Sequence, residues 1–443
     1  MAVPRLVSAS VWLVALAAVG LTLGVLIPTN PTIGVIAAAA ISIGGVALYE
    51  PAIVPILAMP ALVVSIRVGG DSVNLSGADA VLFVAFWFAI FFARRPLSRE
   101  MRQLLWLSAI YQAVSLFTVV ANFYPANAVE WFHAWLLTGG ALVVGWAVGS
   151  SGRAGLGLGL YAIACVMIAI GACAVALRQI SVGSFAPVYP TWPFPMHKNL
   201  AGPLMAWAAL VAFARPAWLR WPTWFALAVF YVCLLGTLAT QSRQALVGLA
   251  CGMIVIAFRR GPGRPRGARV MLLSMTPALA FVAVAVQSDL SMENPFNSTA
   301  DRLVGIGGGM EVWNASPWFG AGLRWFSSGP LAPAFQPPNA LVETLSSVGV
   351  IGLIGFVVML FGGIFVTAKM DRRFGTLALA IVLTRIVQSQ FDQFWVSSLV
   401  SVPFVLLGVC VGAAALEHAR EAESTRVGVP PAANSPVEGG LRR

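Results

Sequence analysis

The sequence predicts an all-α polytopic membrane protein of about 12–14 transmembrane helices with one large extracytoplasmic loop. Three observations predict it. Of 443 residues, 59% are hydrophobic and 10% charged, a balance unsuited to a soluble core of this size. Apolar runs follow one another nearly end to end, and a helix needs about 20 such residues to cross the hydrocarbon. Arginines gather in the short connections between alternate runs, as expected of cytoplasmic loops.

The first run, 7–27, follows Arg5 and lacks a small-residue cleavage site, so it reads as an uncleaved helix rather than a signal peptide. Runs 33–48 and 52–67 are split by Glu50 and Pro51, and Pro60 interrupts the second. Because proline removes a helical hydrogen bond, either run reads as a span or as a tilted or re-entrant segment. Spans are expected next at 78–94, 103–122, 131–149, 154–176, 200–214, 222–240, 244–258 and 270–286, and after the loop at 341–367, 375–391 and 394–416. The chain therefore divides into transmembrane helices over 1–286, the extracytoplasmic loop 287–340, C-terminal transmembrane helices over 341–416 and a tail, 417–443. Charge followed by Pro, Gly and Ser makes that tail read as disordered.

Alternation of the spans puts four basic groups on one face: Arg94 to Arg102, Arg215 with Arg220, Arg259 to Arg269, and Lys369 with Arg372 and Arg373. That face is the cytoplasmic one, and both termini join it. The net charge of +11 is thus a topology signal and implies no nucleic-acid partner. Five cysteines lie inside apolar runs with no CxxC spacing, so neither a disulfide framework nor a metal site is expected. No cofactor is implied: the chain has no HExxH, no GxSxG and no nucleotide loop.

The opposite face receives the loop 177–199, the turn Gln241 to Arg243, the loop 287–340, the turn Gln388 to Gln393 and Asp71. Polar chemistry gathers there. Arg243 stands at a helix end against the positive-inside bias and calls for a partner, either an anionic ligand or headgroup phosphate. Arg385 lies inside an apolar run, where a charge costs several kcal/mol unless it faces protein or water. Asp392 shares its helix face, so a structural pair and a cationic site are both open. His197, Lys198 and Asn199 follow a loop rich in proline and aromatics; the histidine could relay a proton and the lysine meet phosphate, or the group could anchor the chain at the interface. His133, between Phe132 and Trp135, reads as such an anchor. In the long loop, Arg302 and Arg324 stand among Trp313, Trp318 and Trp325, a mix that suits phosphate and sugar faces or an interfacial aromatic belt. Gly305 to Gly309 could cradle phosphate through backbone N–H groups, though without the Lys-Ser/Thr ending of a nucleotide loop.

Four strings carry a family resemblance. Met196 to Gly202 looks like an HKN-type segment, and Gln241 to Ala245 like an outer-face Ser-Arg motif. Arg302 followed by Ser316 to Gly322 is similar to an Arg followed by Pro-x-x-Gly-x-Gly in a large loop. Asn339, with nine residues to Gly349-x-x-Gly352, fits the signature H-[N/S/Q]-x9-G-x-x-G. The chain resembles the O-antigen ligase and polysaccharide polymerase superfamily, membrane glycosyltransferases of the bacterial inner membrane. The resemblance implies metal-independent transfer of a glycan from a polyprenyl-pyrophosphate carrier to a glycan or lipid acceptor, with membrane lipids around the protein. It points to His197, Arg243 and Arg302 as catalytic and to Lys198, Asn199, Arg324, Asn339, Glu343 and Arg385 as substrate-binding. The sequence departs where the signature has its histidine, which is Pro338 here. Either His197 or Glu343 has taken the role, or the transfer needs no base there, or the protein is inactive. A lipid-linked glycan flippase or transporter and a scaffold of an assembly complex are the other classes that fit.

Overall fold

The computed structural model describes residues 45, 52–68, 75–91, 96–259, 266–277, 280, 282–284, 287, 298–332 and 334–426. The expected span 7–27, all of 33–48 but Gly45, Asp71 and the tail beyond 426 lie outside the described residues. The chain forms two compact units, Met1–Val54 and Pro55–Arg443, and the elements below belong to the second, apart from the first two residues of α1.

Helix α1 (Ile53–Ala61) is only 9 residues long and contains Pro60. The chain then turns into an antiparallel hairpin, β1 (Arg67–Val68) with β2 (Leu75–Ser76). The run 52–67 therefore makes no span of its own. Next come α2 (Gly77–Phe91), α3 (Arg99–Ala121) and α4 (Pro125–Trp135), which passes through a π-helical turn, Leu136–Gly140, into α5 (Ala141–Ser150). They are followed by α6 (Ala154–Ser181), α7 (Lys198–Ala214), α8 (Thr223–Thr240), α9 (Arg243–Arg259), α10 (Arg266–Leu273), α11 (Ser298–Ala315), α12 (Ala340–Lys369), α13 (Arg372–Ser389) and α14 (Ser397–Arg426). Among the described residues, six helices are long and apolar enough to cross a membrane: α3, α4 continued by α5, α6, α8, α12 and α14. Helices α2 and α7 are apolar but shorter. The protein is a multi-pass, all-α membrane protein.

Helix α14 is central, with 89% of its most apolar stretch buried. It crosses α5 at close range because small residues face each other. Gly145 and Gly149 of α5 touch the backbone near Val405 and Val409, and Gly408 and Gly412 of α14 touch the backbone near Leu142 and Trp146. Small residues four apart on both helices permit such an approach, which dispersion then stabilises.

The segment 287–340 is not a structureless loop, since α11 occupies Ser298–Ala315. The phosphate-cradle reading of Gly305 to Gly309 fails for that reason: the segment is helical, and its N–H groups belong to the helix ladder. Gly305 and Gly309 lie one turn apart and let α11 rest on the segment leading into α12. A Cβ at Gly305 would meet Phe335 and Pro338, and one at Gly309 would meet Pro337 and Val342.

The chain after α11 docks on a break in α12. Gly349 has φ +66°, a conformation cheap for glycine alone, and it interrupts the helical ladder. The backbone groups freed there are taken up by the segment 317–322. Ala321 and Gly322 donate to the carbonyls of Ser346 and Ser347 at 2.9 Å each, and Val350 donates to the Pro317 carbonyl at 2.9 Å. Side chains of α3 and α4 complete the joint: Thr118 Oγ1 donates to the Ser347 carbonyl at 3.0 Å, and Asn127 Oδ1 accepts from the Leu323 N–H at 2.8 Å. The Pro-x-x-Gly-x-Gly string and the Gly-x-x-Gly string are thus two halves of one joint, which fixes where α11 and the start of α12 stand.

Candidate active site

Three helices, α7, α9 and α13, pack so that the first turns of α7 and α9 meet the end of α13. The α7–α9 contact is tight at Gly202, where a Cβ would collide with Ser242. Further along, the Thr384 hydroxyl of α13 donates to the Gly248 carbonyl of α9 at 3.0 Å. This packing brings the string Met196 to Gly202 beside the string Gln241 to Ala245.

Asp392, in the turn between α13 and α14, is where these ends converge. Its Oδ2 accepts from Gln244 Nε2 at 2.5 Å, and the same amide nitrogen donates to the Asn199 carbonyl at 3.1 Å. Its Oδ1 accepts from the Gln393 N–H at 2.9 Å. Arg302 on α11 and Arg385 on α13 lie close enough to interact with its charge, as does His197. Burial pushes the Asp392 carboxyl above its ordinary value of 3.8, against the opposing pull of Gln393, Gln244, Arg302 and Arg385.

His197 caps α7. Its Nδ1 accepts the Asn199 N–H at 3.2 Å, and its ring packs edge-on against Tyr189 at 5.3 Å between centroids. Loss of solvent holds His197 below its ordinary 6.5; Asp392 opposes this and the Lys198 charge adds to it. Lys198 Nζ lies 5.9 Å from the Tyr189 ring centroid. Arg243 opens α9 and is half-buried, one residue before Gln244.

A second carboxylate supports the turn from behind. Glu343, 1% exposed, accepts the Phe394 N–H at 2.6 Å and the Trp395 N–H at 3.4 Å, and Gln336 Nε2 at 2.5 Å. Arg385 donates to the Phe394 carbonyl at 2.5 Å, lies over the Phe394 ring at 4.5 Å, and feels the charges of both Asp392 and Glu343. Asn339 caps α12 by accepting from the Leu341 and Val342 N–H groups at 3.0 and 3.2 Å, and its amide donates to the Gln390 carbonyl at 3.1 Å. Glu343, Arg385 and Asn339 thus bind the turn 388–395 itself. Pro338 is buried against α11. The structure brings Arg302, Arg385 and His197 near Asp392, sets Lys198, Asn199 and Arg243 on the adjoining starts of α7 and α9, and has Asn339, Glu343 and Arg385 hold the turn itself.

Arg324 stands elsewhere. Its guanidinium lies 3.6 Å from Glu130, whose other oxygen is 3.1 Å from His133 Nδ1. His133 Nε2 is in turn 3.4 Å from Asp79, and Asp79 accepts from Ser76 and Ser397. His133 is therefore no interfacial anchor. It is a buried centre that ties α2, α4, α14 and the segment after α11 together.

Gln244 had no role in the sequence pattern, and Asp392 entered only as a structural partner for Arg385. A signal existed for each: Gln244 adjoins Arg243, and Asp392 follows a span with an arginine inside it, on the same face as His197 and Arg243. A comparison with curated proteins finds no match. Residues 227–357, the stretch holding Arg243, Arg302, Arg324, Asn339 and Glu343, match the family model described as O-antigen ligase.

Proposed function

We propose that the protein is an envelope polysaccharide ligase or polymerase that transfers a glycan from a polyprenyl-pyrophosphate carrier to an acceptor hydroxyl at the outer face of the bacterial inner membrane. The observation that carries this reading is the meeting of Arg302, His197 and the Arg243 helix end around Asp392. Breaking the anomeric C–O bond sends its electron pair to the departing pyrophosphate, and fixed cations beside that group stabilise the transition state more than the ground state. Arg243 and Arg302 take that task, because a guanidinium grips phosphate oxygens two at a time.

The acceptor hydroxyl loses its proton as its oxygen bonds the anomeric carbon, and Asp392 receives that proton. A neutral His197 whose Nδ1 accepts the Asn199 N–H carries its own proton on Nε2. It therefore donates a hydrogen bond to the substrate rather than taking a proton from it. A carboxylate whose affinity for protons is raised by burial is a better base than an exposed one. Pro338 then leaves no gap in the mechanism, since the base comes from the turn after α13.

Sealed proteoliposomes loaded with polyprenyl-pyrophosphate glycan and an acceptor test the reading. A new glycosidic product with release of polyprenyl pyrophosphate is the expected result. Movement of the lipid-linked glycan between leaflets with no product would replace the enzyme by a flippase.

A further inference from the structure

The ends of α7, α9 and α13 opposite to Asp392 enclose a cavity of about 980 Å³ lined by seven arginines and one glutamate. It lies roughly 25 Å from the candidate active site, the length of the 17 residues of α9. Arg153 comes from the α5–α6 turn, Arg215 and Arg220 from the α7–α8 connection, Arg259 from the end of α9, Arg372 and Arg373 from the start of α13, and Arg420 from α14. We propose that this cavity binds an anion carrying two or more phosphate groups, at the cytoplasmic end of the bundle in the orientation the arginine bias predicts.

Positive-inside bias by itself places arginines along a membrane rim, where each reaches headgroups separately. Here they converge on one concavity, where like charges raise one another's cost. Part of the charge is used within the protein. Arg259 donates to the carbonyls of Thr367, Ala368 and Met370 at the end of α12, and Arg215 donates to the Thr223 hydroxyl at 2.6 Å. Arg373 and Arg420 reach Glu421 and Glu417 only at 3.9 Å, all on exposed side chains, so those pairs are weak. Among the described residues, Arg220 and Arg372 have no carboxylate within ion-pair range, and Arg372 is close enough to Arg259 for their charges to repel. A single phosphate is small beside this volume, which lies at the upper end of ordinary ligand pockets. Guanidinium groups on several walls suit phosphates linked in one molecule, each gripped by two donors. Trp218 and Phe374, stacked at 5.9 Å in the wall, add a rigid apolar side. A soluble polyphosphate and an anionic lipid headgroup share this chemistry.

Hydrogen exchange on the full-length protein in nanodiscs tests the proposal and locates the ligand, so binding at the Asp392 end is read separately. The soluble probe is tripolyphosphate in phosphatidylcholine nanodiscs; the lipid probe is cardiolipin added to the same discs. One or both should slow exchange in 214–222 and 369–377. The Arg220→Gln, Arg372→Gln, Arg420→Gln triple variant, which keeps the helix-capping Arg259, should need about tenfold more probe or worse with unchanged circular dichroism. Protection by cardiolipin that tripolyphosphate cannot extend assigns a lipid headgroup, and protection by tripolyphosphate alone assigns a soluble ligand. No protection there by either probe, or equal protection in the triple variant, overturns the proposal.

Discussion

Two clusters of charge, one around His133 and one around Asp392, use the same residue types and differ in how far they open to the surface. In the first, Asp79 and Glu130 are matched by His133 and Arg324, and all four are at most 8% exposed. Every charge has an opposite within the protein, and the cluster is sealed. Around Asp392, by contrast, the charges of Arg302 and Arg385 act on a carboxylate that is not sealed: His197 is exposed while Arg243, Arg302 and Asp392 are half-buried. A buried ion network balanced from within holds helices together. A half-buried group of charges at helix ends, open to the surface, is accessible to a ligand as the sealed network is not.

That contrast is broken most directly by removing one member from each cluster. Asp392→Asn should lower turnover by about two to four orders of magnitude, the range for a positioned general base. Arg302→Ala and Arg243→Ala should each cost about 10²- to 10³-fold, the range for one transition-state donor, with little recovery in Arg→Lys because the two-pronged grip is lost. In these variants thermal unfolding should stay near wild type. If they unfold early instead, the two clusters are of one kind.

The sealed cluster should answer in the other currency. His133→Leu leaves Asp79 buried without a cation and Glu130 with Arg324 alone, which costs about 3–5 kcal/mol, read from unfolding in detergent. The joint between the clusters comes next. Gly349→Ala should cost about 1–3 kcal/mol from its left-handed backbone, and more from overlap with the Trp318 carbonyl, with α11 loosened in hydrogen exchange.

The smallest effect is the pH response of Asp392. Its folded-state pKa is raised above 3.8, so the folded protein binds this proton more tightly than the unfolded chain. Its contribution to stability is therefore fully present below 3.8 and is lost as pH rises through the folded value. Asp392→Asn should leave stability at neutral pH unchanged or slightly higher. The activity of the wild type should fall as pH drops through that raised value, because the base is then protonated.

The fold class was legible because burial in lipid demands long apolar helices, and composition alone reports that. Individual spans were less so. The run 52–67 is apolar enough for a span, yet Pro60 and the hairpin after it end the helix, and a hydropathy pattern does not register a strand pair. Segment 287–340 read as a loop because Gly305 to Gly309 weaken helix propensity, and only contact with Phe335, Pro337 and Pro338 shows why a helix lies there. Arg243, Arg302 and His197 stood out as polar groups that alternation of the spans assigns to one face. Asp392 stood out only as a partner for Arg385, because Gln244 and Arg302 reach it from helices far from it in sequence. His133 and Arg324 misled for the matching reason: their partners Asp79 and Glu130 are visible only once the helices are packed.

If Asp392 is the base, its loss must slow the chemical step itself. Single-turnover transfer of a radiolabelled glycan from polyprenyl pyrophosphate to acceptor, compared between wild type and Asp392→Asn at matched carrier occupancy, tests it most directly. The variant should bind carrier and unfold as wild type does, yet form product at least about a hundredfold more slowly. Product formation by Asp392→Asn at the wild-type rate would contradict it.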